Sequence, residues 1–111
     1  MGFFSKASLK NIITPREAYE MMAETDGYVL LDVRTPAEYR QARINGAKLI
    51  PVDELNNRAP AELPDRQKPI LIYCQSGARA TKAAALLAAM GYANVKSFGG
   101  IVNWPYGVVK G

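Results

Sequence analysis

Two uninterrupted apolar runs, each followed at once by a chemically distinctive residue, constrain the fold of this chain most strongly. Residues 28–31 lead into Asp32, and residues 69–73 lead into Cys74. Apolar runs without alternation are typical of strands in a parallel sheet that is covered on both faces. Helical segments lie between and after these runs, and strands that alternate with helices predict an α/β fold.

Two Thr-Pro segments indicate where helices begin. Thr14 and Thr35 each precede a Pro and stand three positions before a Glu, which is the pattern of a capping box with Pro at the first helical position. They predict helices over residues 15–24 and 36–40. A third helix is predicted over residues 80–90, where an apolar stripe ends before a Gly.

Shorter elements are predicted for the rest of the chain. We expect strands at residues 47–50 and 95–98 and a short helix around residues 101–104. Residues 52–69 are polar and contain three prolines, so they predict a connection with one helical turn around residues 53–57.

Composition excludes several classes of site. The 111 residues include no His and one Cys, which rules out His-based zinc sites, Ser-His-Asp triads, internal disulfides and CxxC pairs. Any chemistry must therefore use a lone thiol, carboxylates, Lys, Arg, Tyr or the backbone. The length predicts a single domain over residues 1–111.

Charge and hydropathy predict neither a nucleic-acid surface nor a membrane span. The net charge is +4, but the basic residues are scattered and do not interleave with aromatic residues. The longest apolar run, residues 83–90, is too short to cross a bilayer. Residues 1–6 lack the pattern of a signal peptide, and with no disulfide we expect a cytoplasmic location.

The segment after the second apolar run carries the predicted chemistry. It consists of Cys74, Gln75, Ser76, Gly77, Ala78 and Arg79. Gly77 permits the positive φ that a tight ring needs, and such a ring aims backbone N–H groups at one point before a helix. Arg79 adds a positive charge, so we expect Cys74 to act as a thiolate nucleophile beneath a bound anion.

At these residues the sequence resembles the rhodanese-like sulfurtransferase family over essentially its whole length. The segments that carry the resemblance are Leu31-Asp32-Val33-Arg34, Pro36-Ala37-Glu38-Tyr39, Ile44-Asn45-Gly46-Ala47, the loop from Cys74 to Arg79, and Gly99-Gly100 followed by Trp104. The resemblance implies a small α/β domain with a five-stranded, mainly parallel sheet and helices on both faces. It also implies sulfur transfer through a persulfide on Cys74.

The implied reaction needs no metal and no organic cofactor. The Cys74 thiolate takes sulfane sulfur from a small anionic donor such as thiosulfate or a persulfide, and a thiol or carrier protein accepts it. Residues 75–79 are expected to bind the donor, while Asp32 and Arg34 organise the loop by hydrogen bonds. The alternative interpretation is that Asp32 only ends a strand and that Arg34 lies on the surface.

Other motif residues are given structural roles. We expect Gly99 and Gly100 to form a turn, Trp104 to be a packing anchor and Glu38 to cap a helix.

Two positions depart from the family pattern. Arg43 stands where the family often has His, and Ala80 stands where it commonly has Ser. Thr81 offers a hydroxyl in place of that Ser. Neither departure touches the nucleophile.

Two other functions stay open from the sequence. Cys-dependent phosphatases and arsenate reductases use a Cys-x5-Arg loop, whereas four residues separate Cys74 from Arg79. The shorter ring suits a persulfide sulfur better than a whole phosphate. A non-catalytic rhodanese-like binding or regulatory module is the second alternative, although inactive members generally lack the Cys that this chain retains.

Overall fold

The computed structural model describes residues 11–111, so the expectation about residues 1–6 lies outside the described residues. Along this part of the chain the elements are α1 (Pro15–Glu24), β1 (Val29–Asp32), α2 (Pro36–Gln41), β2 (Ala42–Arg43), β3 (Lys48–Leu49), α3 (Leu55–Glu62), β4 (Ile70–Cys74), α4 (Ala78–Ala89), β5 (Val95–Gly100) and β6 (Val109–Lys110). Short 3-10 turns occupy Val52–Glu54 and Ile101–Asn103.

The main sheet is parallel and has the strand order β3-β1-β4-β5. The mainly parallel α/β fold is therefore confirmed, with four strands in the described residues rather than the five implied by the resemblance. At the β5 edge, residues 11–111 add an isolated parallel bridge between Ile12 and Ser97, which is too short to count as a fifth strand. β2 and β6 form a separate antiparallel pair.

The sheet is buried on both faces, as the uninterrupted apolar runs predict. All five residues of β4 are buried. Ile72 and Cys74 belong to the core beneath α3 and α4, whereas Leu71 and Tyr73 belong to the core beneath α1. Because successive side chains point to opposite faces, a strand buried on both sides is apolar at every position.

The predicted starts of the first two helices agree with the structure. Thr14 and Thr35 both close capping boxes with the Glu three residues later. The helix predicted over residues 80–90 begins two residues earlier, at Ala78, because Gly77 is its N-cap. The strand predicted over residues 95–98 extends to Gly100.

The helical turn expected around residues 53–57 is present, but the expectation of a connection with only one turn is wrong, since the helix continues to Glu62. α3 runs from Leu55 to Glu62 and includes Pro60. Leu55, Ala59 and Leu63 are buried at four-residue spacing and pack into the core beneath α3 and α4. The hydroxyl of Tyr92 donates to the carbonyl oxygens of Ala59 and Leu63, at 3.1 and 2.6 Å, and these hydrogen bonds help to stabilise a helix that Pro60 disfavours.

Within residues 11–111, no helix combines the length and apolar character needed to cross a membrane.

Replacing Leu55 by Ala tests the contribution of α3. Leu55 is fully buried, so we expect Leu55→Ala to lower the free energy of unfolding by about 2–5 kcal/mol through lost contacts and a residual cavity. Asn56→Ala, on the exposed side of the same helix, should change it by less than about 0.5 kcal/mol. Urea titration of both variants measures the difference, and equal small effects would contradict a core role for α3.

Candidate functional site

Cys74 lies at the carboxyl end of β4, a central strand of the sheet, and is only 1% exposed to solvent. The backbone N–H of Gly77 donates to its Sγ at 3.0 Å. The thiol itself points to the carbonyl oxygen of Gly99 at 3.9 Å. The sulfur is therefore held between the loop that follows β4 and the end of β5.

The loop between β4 and α4 has the tight geometry expected from its sequence. Gly77 has a φ of 120°, which confirms the predicted positive φ. Its carbonyl oxygen accepts hydrogen bonds from the N–H and the hydroxyl of Thr81, both at 3.0 Å. Thr81 thus supplies a hydroxyl tether although Ala80 replaces the Ser of the family pattern.

The backbone of Gly100 closely approaches the backbone of the loop that follows β4. Its φ is −134°, so an L side chain would suit its backbone conformation. A Cβ at this position would overlap the carbonyl oxygen of Gln75 and lie 2.5 Å from the Cα of Ser76. The second Gly of the Gly99-Gly100 pair is therefore required by contact with the loop. The turn expected at this pair is wrong, because both residues belong to the end of β5.

Asp32 and Arg34 form a buried ion pair next to the loop. Asp32 is 0% and Arg34 is 2% exposed. Arg34 Nη2 lies 2.7 Å from Asp32 Oδ2, and Arg34 Nε donates to both carboxylate oxygens at 3.0 and 3.1 Å. Burial lowers the pKa of Arg34, but the hydrogen bonds and charge of Asp32 outweigh this and raise the pKa above its ordinary value.

Arg34 also connects Asp32 to the loop and to β2. Its Nη1 donates to Gln75 Oε1 at 3.2 Å, and its Nη2 donates to the carbonyl oxygen of Ala42 at 2.7 Å. Asp32 reaches the loop only through Arg34 in these contacts. The structure thus brings both residues to the loop side of the sheet, with Arg34 inside the protein.

Arg79 extends from the first turn of α4 and pairs with Glu38. Its Nη1 lies 2.8 Å from Glu38 Oε1, and its Nη2 donates to Glu38 Oε2 at 3.0 Å. The hydrogen bonds from Arg79 lower the pKa of Glu38 to about 2. The pKa of Arg79 is raised, mainly by Glu38, with smaller contributions from the charges of Cys74 and Asp32.

Glu38 is the site neighbour that sequence reasoning missed. Its capping role is confirmed, since Thr35 N–H donates to its Oε1 at 2.9 Å, but its pairing with Arg79 spans 41 residues. A usable signal existed, because both residues follow strands that are neighbours in the parallel sheet. The carboxyl ends of such strands lie along one edge, so opposite charges placed there can meet.

The other predicted motif residues lie outside the loop. Trp104 is 9% exposed and packs against Phe98 with ring centroids 5.2 Å apart, which confirms its anchor role. The guanidinium of Arg43 lies over the ring of Tyr39 at 4.9 Å. In the part of the chain that the structure describes, no three His, Cys, Asp or Glu residues are grouped to hold a metal ion.

The chain is similar in sequence and in fold to known proteins. Residues 14–105 match the family model described as the Rhodanese-like domain. The chain is similar to the thiosulfate sulfurtransferase PspE of Escherichia coli, with 35% identity over 81 residues that cover 73% of this chain and 78% of that protein. It is also 37% identical over 95 residues to a sulfurtransferase of Allochromatium vinosum, covering 85% and 87% of the two chains.

A solved structure shows the same fold. The crystal structure of a rhodanese-like domain protein from Staphylococcus aureus matches with a TM-score of 0.78 and 28% identity, covering 91% of this chain and 98% of that one.

Gly100→Ala tests the close approach beneath the loop. The added methyl group must displace the backbone at Gln75 and Ser76, so we expect the free energy of unfolding to fall by about 1–3 kcal/mol. Ser76→Ala, which adds no atoms at an exposed loop position, serves as control and should change it by less than about 0.5 kcal/mol. Chemical denaturation measures both, and an unchanged stability of Gly100→Ala would contradict the required approach.

Acid titration tests the ion pair between Glu38 and Arg79. Because the pKa of Glu38 falls from 4.5 to about 2 on folding, its contribution to stability is present above pH 4.5 and is lost as the pH falls through about 2. The difference in unfolding free energy between wild type and Glu38→Gln should therefore be constant near neutral pH and shrink in acid. Urea titrations at several pH values measure it, and a difference independent of pH would contradict the pairing.

Proposed function

The chain belongs to the rhodanese-like domain family, and from this premise we propose that it is a sulfurtransferase that carries sulfane sulfur on Cys74. The observation that carries the proposal is the position of the only cysteine in the sequence. Its Sγ lies at the carboxyl end of a central parallel strand and accepts a backbone N–H from the following loop. Relatives named as sulfurtransferases support the same activity.

In the proposed first step, sulfur passes from donor to enzyme. The Cys74 thiolate attacks the sulfane sulfur of a donor such as thiosulfate and forms a new S–S bond. The bond between the two donor sulfurs breaks, and its electron pair leaves with sulfite. The product is a Cys74 persulfide, whose terminal sulfur carries the negative charge.

In the second step, an acceptor removes the sulfur. A thiolate on a small molecule or carrier protein, or cyanide in an assay, attacks the terminal sulfur of the persulfide. The electron pair of the broken S–S bond returns to Sγ, so the Cys74 thiolate is regenerated. The two steps balance without any external oxidant or reductant.

The neighbouring groups have distinct proposed roles. The N–H of Gly77, 3.0 Å from Sγ, stabilises negative charge on sulfur, and preorganised donors of this kind are effective because they need no reorientation. The loop residues Gln75, Ser76, Gly77, Ala78 and Arg79 bind the donor. Asp32 and Arg34 hold that loop in place through Gln75 Oε1.

Two broader expectations accompany this proposal. A single domain over residues 1–111 and a cytoplasmic location stay predictions from the sequence.

Cys74→Ser tests the covalent mechanism. We expect wild-type protein incubated with thiosulfate to gain the mass of one sulfur atom, which cyanide then removes, because Cys74 is the only thiol. Cys74→Ser should gain none and should lose thiosulfate:cyanide transfer while it keeps the wild-type circular dichroism spectrum. Intact-protein mass spectrometry provides the measurement.

Two results would count against the proposal. Turnover by a folded Cys74→Ser variant at more than a small fraction of the wild-type rate would exclude the covalent route. A wild-type protein that gains no sulfur from any sulfane donor would favour a non-catalytic binding module instead.

A further inference from the structure

Both guanidinium groups that contact the loop or extend from it are already paired with carboxylates. Arg34 is bound by Asp32 and Arg79 by Glu38. Arg79 is the cation that the sequence assigns to donor binding, and in the structure its positive charge is balanced by a carboxylate within 3.0 Å. The loop therefore presents a dipole at Arg79, not an isolated positive charge.

We propose that Glu38 is a specificity-determining residue of the sulfur-transfer site. By neutralising Arg79 it weakens the attraction for dianionic donors such as thiosulfate relative to sulfane donors of lower charge, such as monoanionic thiosulfonates and persulfides. This inference rests on the proposed sulfurtransferase function and concerns the class of donor that the same site prefers.

Both residues of the ion pair lie in the first turn of a helix. Glu38 Oε1 accepts from the N–H and the hydroxyl of Thr35, at 2.9 and 3.2 Å, as well as from Arg79. The Glu38 carboxylate is thus held by its own capping box while it binds Arg79 in a two-pronged contact. Arg79 lies in the first turn of α4, which begins directly after the loop residue that contacts Sγ.

The ion pair stays charged under ordinary conditions. Arg79 lowers the pKa of Glu38 to about 2, so the carboxylate is ionised across the neutral range. The side chains of Arg79 and Glu38 are 34% and 30% exposed. Because solvent reaches both side chains, water and salt partly screen the interaction of their charges with an approaching donor.

The charge of the donor determines the strength of its electrostatic interaction with this ion pair. The energy of a donor in the field of a charge scales with the product of the two charges. A dianion therefore gains about twice as much as a monoanion when Arg79 loses its counter-charge. Two donors that react by breaking the same kind of S–S bond but differ in charge can therefore be compared. A charge effect changes their KM values unequally, whereas a general loss of loop order affects both donors alike.

Glu38→Gln is a suitable substitution because Gln also completes a capping box. It removes the negative charge and retains a group that can accept from Thr35. Glu17→Gln is the matched control, since Glu17 occupies the same capping-box position in α1. Glu17 is exposed, and within residues 11–111 it takes part in no ion pair.

The experiment compares thiosulfate with methanethiosulfonate, a monoanion in which a methyl group replaces one charged oxygen. Cyanide is the acceptor for both, and sulfite or methanesulfinate is the respective leaving group. For Glu38→Gln we expect KM for thiosulfate to fall by about three- to ten-fold. KM for methanethiosulfonate should fall by about two- to three-fold, the square root of that change.

Further readouts separate charge from structure. We expect kcat of Glu38→Gln to stay within about two-fold of wild type for both donors, since the lost interaction acts on binding. Added salt should reduce the difference in KM between the variant and wild type. Glu17→Gln should match wild type with both donors.

A second variant keeps the inference testable if Glu38→Gln is poorly folded. Arg79→Gln leaves the Glu38 carboxylate uncompensated, so KM should rise, and it should rise more for thiosulfate than for methanethiosulfonate. Opposite shifts from the two variants support the inference.

Equal changes for both donors, or a KM that rises in Glu38→Gln, would overturn the inference and leave Glu38 as a structural support for Arg79. Wild-type protein that transfers sulfur from neither donor would overturn the proposed function itself, together with this inference. Transfer by wild type without charge-dependent effects overturns the inference alone.

Discussion

The buried ion pair between Asp32 and Arg34 is the interaction on which the geometry around Cys74 depends. Taking two charges out of water is costly, and the cost is offset only when the geometry is good and the remaining donors are satisfied. Arg34 meets this condition because its guanidinium donates to Asp32, to Gln75 Oε1 and to the carbonyl oxygen of Ala42. One side chain therefore joins the end of β1, the loop after β4 and the start of β2.

The loop is constrained from a second direction by β5. The backbone at Gly100 approaches Gln75 and Ser76 so closely that no side chain fits between them, and the N–H of Val102 donates to the Gln75 carbonyl oxygen at 3.3 Å. Gln75 is thus held through its side chain by Arg34 and through its backbone by Val102, in the turn that follows β5. Because Arg34 and Val102 follow β1 and β5, the two strands that flank β4 in the sheet, strand order decides which residues can hold the loop.

Local features of this architecture could be predicted from sequence, whereas contacts between distant segments could not. Capping boxes at Thr14 and Thr35 and the positive φ of Gly77 depend on a few consecutive residues, and each agrees with the structure. The sequence predicts only one turn of α3, because Pro60 indicates a break, whereas burial of Leu55 against strands elsewhere in the chain stabilises the longer helix. The antiparallel pair of β2 and β6 joins two-residue strands, too short to show a periodic pattern.

The same distinction applies to the charges of the candidate site. From sequence, Arg79 counts as a positive charge beside Cys74, and the chain as a whole carries a net charge of +4. The fold changes that interpretation, because parallel pairing of β1 with β4 brings Glu38 within 3.0 Å of the Arg79 guanidinium. Both nearby guanidinium groups are paired with carboxylates, whereas the N–H of Gly77 donates directly to Sγ at 3.0 Å. A backbone donor of the loop, not the surplus of basic residues, therefore makes the direct polar contact with the sulfur.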